Sequence, residues 1–167
     1  MKLFSELTIP DCCFLSLLQA DSNSDLLNLI TDREISKYLP GIANMETLES
    51  VNEIITLFER TYQEEQGALW GIYLSEDTLG GIIGISELKF EPIIFYALSQ
   101  QYRNRGVMTL CVNAVTEYIH RQYITIKARI DDKNKASQRV LEKCGYKYET
   151  TLDYYFHHKN FFDSKSS

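Results

Sequence analysis

One stretch limits what this chain can fold into more than any other: Phe95–Met108, where an apolar run passes through a basic turn into a long amphipathic segment. Ile93, Phe95, Ala97 and Leu98 read as a strand. Arg103 and Arg105 flank Asn104 in the turn, Gly106 removes a side chain, and a helix is predicted from Val107 and Met108 onward. A helix start exposes N–H groups with no intrahelical partner, and the macrodipole adds roughly half a positive charge there. The junction therefore favours an anion, and a glycine lets the backbone approach it closely. Taken alone the pattern is unselective, because glycine and surface arginine are common wherever a strand turns into a helix.

Selectivity comes from a second segment, Asn134–Tyr146, which follows another predicted strand. Together the two resemble the GNAT superfamily of acyl-coenzyme A dependent N-acyltransferases, and among these the branch of ribosomal-protein N-terminal acetyltransferases. The family's pyrophosphate loop, Arg/Gln-x-x-Gly-x-Gly/Ala, is matched by Arg103 and Gly106, with a departure at Met108. Its later Asn-x-x-Ser-x-x-x-x-x-Lys-x-Gly-Phe/Tyr signature is matched by Asn134, Ser137, Lys143, Gly145 and Tyr146. The resemblance implies a single α+β domain over residues 1–167, with a mixed, mostly antiparallel sheet flanked by helices and a polar tail from about Asp163. It implies acetyl-CoA as the acyl donor and a primary amine as acceptor, a peptide N-terminus or a small molecule. It implies no metal.

Charge is partitioned along the chain in a way that fits a polyanionic ligand. The net charge of −6 argues against general binding of nucleic acid or an anionic membrane. Residues 1–102 hold 5 Lys and Arg against 16 Asp and Glu, whereas residues 103–143 hold 9 against 4. A merely solvated helix face predicts some basic excess, but not one confined to the two motif-bearing segments. With 44% hydrophobic residues the composition is that of a globular chain long enough to bury about two thirds of its unfolded surface. The apolar run Cys12–Leu18 is too short to span a bilayer, and Glu6 and Asp11 interrupt any signal-peptide core, so a cytoplasmic location is expected. Cys12, Cys13, Cys111 and Cys144 show neither metal-ligand nor disulfide spacing and read as buried free thiols. His120, His157 and His158 read as surface or packing residues.

In order, Phe14–Leu18 reads as a first strand and Asp21–Asp25 as turn and cap material. Leu26–Tyr38 reads as a helical region, interrupted along its length. Pro40-Gly41 punctuates, and Thr47 caps a helix carrying Leu48, Val51, Ile55, Phe58 and Tyr62 on one face. Ala68–Leu74, Gly80–Leu88 and Ile93–Leu98 follow on short turns, which makes them antiparallel neighbours. A helix from Val107 to about Gln122, with Val107, Leu110, Cys111, Ala114, Val115, Tyr118 and Ile119 inward, leads to a strand at Ile124–Ile130. That connection makes the strand parallel to Ile93–Leu98. Asp131, Asp132 or Asn134 then caps a helix with Ala136, Val140, Leu141 and Cys144 inward and Gly145 at its C-terminal end. A last strand or hairpin arm runs from Tyr146 to about His157, and its exposed edge leaves both a monomer and a homodimer open.

The resemblance assigns Leu98, Arg103, Asn104, Arg105, Gly106, Val107, Met108, Asn134 and Ser137 to the cofactor. Backbone groups of Leu98 and its neighbours are expected to bind the pantetheine amides where two parallel strands diverge. A nearby N–H is expected to hold the thioester carbonyl, a donor worth on the order of 3 kcal/mol in the transition state. Ser137 is the candidate acid for the departing thiolate, with Tyr146 or Tyr96 as substitutes. The carboxylate that many relatives carry near Ile93 is missing from Pro92-Ile93-Ile94-Phe95, which leaves Glu87 as candidate base. The alternatives are a non-catalytic acyl-CoA sensor or interaction module on the same fold, and a scaffold that binds no nucleotide.

Overall fold

Strands β3 (Ala68–Ser75) and β4 (Thr78–Ser86) form a hairpin around Glu76-Asp77, and β5 (Ile93–Leu98) continues it as an antiparallel meander with Ile83 opposite both Trp70 and Tyr96. These strands read as near-continuous apolar runs because helices cover both of their faces. The computed structural model describes residues 2–39 and 45–160. The Pro40-Gly41 expectation and the polar tail from Asp163 lie outside them.

On one side β2 (Cys13–Leu17) pairs antiparallel with β3, and β1 (Glu6–Ile9) pairs with β2. The β1 strand was not expected, since four residues with only Leu7 and Ile9 in alternation carry too little pattern. On the other side β6 (Thr125–Ala128) runs parallel to β5, and β8 (Tyr154–His158) pairs antiparallel with β6. At the edge lies β7 (Lys147–Glu149). The order β1-β2-β3-β4-β5-β6-β8-β7 thus contains one parallel junction, between β5 and β6.

Helices α1 (Asn23–Ile30), α2 (Arg33–Ser36) and α3 (Leu48–Gln63) cover one face, where Leu26, Leu29, Ile35, Val51 and Ile55 pack on Leu69 and Ile82. The break between α1 and α2 is fixed by Asp32, whose side chain accepts from the Glu34 N–H. Thr47 caps α3 in a reciprocal pair with Ser50, as expected. Helices α4 (Val107–Ile119) and α5 (Lys135–Lys143) cover the opposite face, where Cys111, Val112, Val115, Ile119 and Leu141 pack on Trp70, Ile83 and Ile126.

Two expected stripes are turned. In α4 the buried face is Val107, Met108, Cys111, Val112, Val115, Thr116 and Ile119, while Leu110 is 45% exposed. The helix tilts so that its Met108–Val112 edge meets the sheet, an orientation that apolar spacing alone does not set. Ala136 of α5 is likewise exposed, and so is Ile124, which precedes β6. At the end of α5, Tyr146 N–H donates to Leu141 O (2.9 Å) and Gly145 N–H to Glu142 O (3.0 Å), with Gly145 at φ +84°. This closes the helix carbonyls and returns the buried Tyr146 onto Leu141.

Candidate functional site

The parallel junction is short. Ile93 opposite Lys127 is the only register pair of β5 with β6, with Lys127 N–H donating to Pro92 O at 2.8 Å. On the β4 side, Ser99 N–H donates to Gly80 O, so strand alternation turns the even-numbered backbone groups of β5 towards β6. Past Ile93 the two strands separate, and the N–H groups of Tyr96 and Leu98 face the gap. The gap opens into a cleft of about 650 Å³ lined by Phe95–Leu98 of β5, by Arg129–Asp131 after β6, and by the first turns of α4 and α5.

The α4 end of the cleft is built for an anion. Gly106 is the N-cap of α4 at φ +77°, with no side chain capping the first turn. The N–H groups of Val107, Met108 and Thr109 therefore have no intrahelical acceptor. A Cβ built on Gly106 would meet nothing within 4 Å, so the space over those amides is open. Met108 lies at the lining but is only 6% exposed and belongs to the core, so its departure from Gly or Ala does not fill the cradle. Arg103 adds a cation to the lining, and its Nε donates to Leu98 O at 2.9 Å. This bond ties the basic turn to the end of β5 and occupies a carbonyl that had been expected to await a ligand.

Helix α5 supplies the rest of the positive charge. Lys135, Arg139 and Lys143 recur every fourth residue, so they share one helix face, and all three line the cleft with Lys133 and Arg129. That ladder is legible in the sequence as a four-residue period of cations, Lys135, Arg139 and Lys143. At the start of α5 the Asn134 side chain accepts from Ser137 N–H at 3.2 Å, which identifies Asn134 among the three expected caps. Ser137 lines the cleft, and its carbonyl accepts from Tyr96 Oη at 2.9 Å. Burial raises the Tyr96 pKa far above the usual phenol range, so this bridge between β5 and α5 is neutral.

Most of the sequence-picked residues meet here. Leu98, Arg103, Asn104, Gly106, Val107, Met108, Asn134 and Ser137 all line the cleft. Arg105 is exposed and lies outside that lining. Glu87 does not join them either. It sits at φ +59°, exposed, in the turn after β4, beyond the Ser86–Ile93 pair. That is the closed end of the β5–β6 junction, about 17 Å along the strand from Leu98. Tyr146 is also displaced from the role considered for it: its hydroxyl shares a 2.7 Å hydrogen bond with Thr116 Oγ1, buried under α4. From the opposite face, Glu34, Ile35, Tyr38 and Leu39 reach the cleft. No local pattern marks them, because only the fold brings α2 beside β5.

Comparison with known proteins places this geometry. Residues 14–147 match the family model of the acetyltransferase (GNAT) domain. The uncharacterised N-acetyltransferase YoaA of Bacillus subtilis (strain 168) is 30% identical over 131 residues, 74% of this chain and 73% of that protein. Among solved structures, the ribosomal L7/L12 α-N-protein acetyltransferase RimL, in complex with coenzyme A, superposes with a TM-score of 0.81 at 14% identity, over 92% of this chain and 97% of the other. The microcin C7 self-immunity acetyltransferase MccE, in complex with acetyl-CoA and AMP, gives 0.80 at 17% identity, over 95% and 98%.

Proposed function

This chain belongs to the GNAT acetyltransferase family, and we propose that it moves an acetyl group from acetyl-CoA to a primary amine by direct attack within a ternary complex. The observation that carries the proposal is the parting of β5 from β6 onto an uncapped helix N-terminus with an α5 cation ladder beside it. RimL and MccE, which share the fold, hold coenzyme A and acetyl-CoA.

The residues present suit such a ligand. The amides of Val107, Met108 and Thr109, with Arg103, would hold the pyrophosphate, and Lys135, Arg139 and Lys143 would neutralise the remaining phosphate charge. The N–H groups of Tyr96 and Leu98 would bind the pantetheine arm as a short added strand. Acetyl-CoA supplies the acetyl group as an activated thioester. A β5 N–H aimed at its carbonyl oxygen would stabilise the negative charge that develops there. Asn134, through the Ser137 N–H, and Tyr96, through the Ser137 carbonyl, fix Ser137 from both sides. Its hydroxyl would then serve as the acid that protonates the leaving thiolate.

Among the described residues, the carboxylates lining the cleft are Glu34 and Asp131, and neither belongs to the β5 wall. This favours an acceptor that needs little help in losing its proton. At pH 7, deprotonating a lysine amine of pKa about 10.4 costs roughly 4.6 kcal/mol, against about 1 kcal/mol for an α-amine near 7.7. We therefore take a free α-amine, as in a peptide N-terminus, as the acceptor class. The test follows coenzyme A thiol release with a thiol-reactive dye, using a peptide with a free N-terminus and the same peptide N-blocked with an internal lysine. Faster turnover of the free N-terminus is expected. Equal rates would remove the acceptor assignment, and no release with any amine despite acetyl-CoA binding would turn the reading to a sensor.

A further inference from the structure

On the far flank of α4 from the cleft stand three thiols that acetyl transfer does not use. Cys12 closes the β1–β2 turn and Cys13 opens β2. Successive strand side chains point to opposite faces, but Cys12 lies in the turn, its N–H bonded to Ile9 O at 3.2 Å. Its side chain is thereby free to lie beside that of Cys13: Cys12 Sγ donates to Cys13 Sγ at 3.5 Å, and Cys13 Sγ lies 3.5 Å from Cys111 Sγ on α4. Burial deepens along this line, from the half-buried Cys12 through Cys13, 7% exposed, to Cys111 at 0%. The sulfurs form a chain rather than a metal site: among the described residues no three such side chains converge as metal ligands.

Simple packing of small apolar groups explains buried thiols, but not their polarity here. The hydrogen bond from Cys111, aided by that from Cys12, outweighs burial and lowers the Cys13 pKa to about 7, while the same contacts and burial push Cys12 to about 11 and Cys111 higher still. The middle sulfur is thus the most readily ionised of the three, and the thiolate is the reactive form. Cys144 provides a contrast: it donates to Thr109 O, and burial raises it to about 11.

We propose that Cys13 and Cys111 form a dithiol that reacts with a hydroperoxide, Cys13 attacking and Cys111 resolving. The Cys13 thiolate attacks one oxygen of hydrogen peroxide: an S–O bond forms, the O–O bond breaks, and hydroxide leaves to be protonated by solvent. The Cys111 sulfur then displaces the oxygen from Cys13: the S–S bond forms, the S–O bond breaks, and the departing hydroxide leaves as water with the Cys111 proton. Two thiols are oxidised by two electrons, and one peroxide is reduced to two waters. The two sulfurs must approach by roughly 1.5 Å to reach disulfide length. With Cys13 almost covered, the site takes an oxidant of peroxide size, and a bulky disulfide such as oxidised glutathione is confined to Cys12.

The test treats the full-length protein with a small excess of hydrogen peroxide or of oxidised glutathione, blocks free thiols with N-ethylmaleimide under denaturing conditions, and maps tryptic peptides without reduction. The expected peroxide product joins peptide 3–33 to peptide 106–121 through Cys13 and Cys111, with Cys144 still blocked by maleimide. The link survives Cys12→Ser and is absent in Cys13→Ser and Cys111→Ser, while glutathione appears on Cys12 alone. Any of three results would overturn the proposal: a link that persists in Cys13→Ser, a Cys144 in the wild type oxidised as fast as Cys13, or peroxide that leaves Cys13 and Cys111 both free in the wild type. The last two of these results are read on the wild type and need no variant to fold.

Discussion

Gly106→Glu separates the structural from the ligand-binding role of the α4 N-terminus. The structural cost is small, because a Cβ at this position meets nothing within 4 Å and only the left-handed backbone, φ +77°, penalises a side chain. That penalty is about 1–2 kcal/mol. In a chain of this size it lowers the melting temperature by roughly 2–8 °C. The binding cost is larger. A carboxylate about 5 Å from one phosphate charge, at an effective dielectric constant near 20, costs about 3 kcal/mol before the second charge is counted. Affinity for acetyl-CoA should therefore fall by at least about a hundredfold. Calorimetric titration of wild type and variant, with a thermal melt of each, reads both quantities. A variant that binds within threefold of wild type would show that the pyrophosphate does not sit on these amides. A variant too unstable to fold would show that the space over Gly106 is not open.

Four further outcomes follow from the same geometry. Ser137→Ala, with no hydroxyl at the cleft, should lower kcat about a hundredfold or more while leaving the acetyl-CoA affinity near wild type, since Asn134 still caps α5 through the backbone; an unchanged kcat in single-turnover assays would remove Ser137 as the acid. Glu87→Gln should leave kcat and its pH profile unchanged, because that residue stands at the closed end of the junction; a lost ionisation in the profile would reinstate it as base. His120 Nε2 and His157 Nδ1 share a 2.7 Å hydrogen bond, and burial lowers both pKa values, with His120 adding to the effect on His157. Folded values below the unfolded 6.5 or so mean that the unfolded chain binds more protons, so this stability is present above about pH 6.5 and lost as pH falls through the folded values; urea midpoints at pH 7.5 and 5.5 should drop more for wild type than for His157→Gln, and equal drops would refute the assignment. Raising salt should increase KM for acetyl-CoA, by screening the cations that line the cleft, and for a cationic acceptor but not a neutral one, because residues 1–102 carry a net charge of −11; salt-independent KM values would end the steering argument.

How much of this was legible in the sequence depended on whether the signal was local. The β3–β5 meander, the parallel return through α4 and the Thr47 cap all follow from short-range pattern and turn chemistry; the strands and the cap stand within two residues of their expected places, while α4 ends at Ile119, short of the expected Gln122. The facing of α4 did not, because Leu110 and Val112 are equally apolar and only the tilt against Trp70 and Ile83 buries one and exposes the other. The same limit governs the site. Gly106 and Asn134 act through the backbone of their own helices, so a motif finds them. Glu34 and Tyr38 reach the cleft from α2 and the turn after it, some sixty residues away in sequence, and Cys13 meets Cys111 across a separation of 98.

Glu87 shows the opposite failure, in which sequence proximity misleads. It lies six residues before Ile93, near which the resemblance leads one to expect a carboxylate, yet it stands in the β4–β5 turn, outside the lining of the cleft. A base supplied from β5 would have to start at Phe95 or later, and Phe95, Ala97 and Leu98 are apolar while the Tyr96 proton is engaged by Ser137 O. The β5 wall, which under the proposed function would hold the thioester, thus offers hydrogen-bond donors and one neutral bridge, not a proton acceptor. A proton taken from the acceptor would leave towards Glu34 on the α2 side, towards Asp131 after β6, or directly to water. Chemistry of that kind would tolerate an amine already partly neutral at pH 7 and discriminate against one that is not, so under the proposed function the missing carboxylate would select the substrate rather than disable the site.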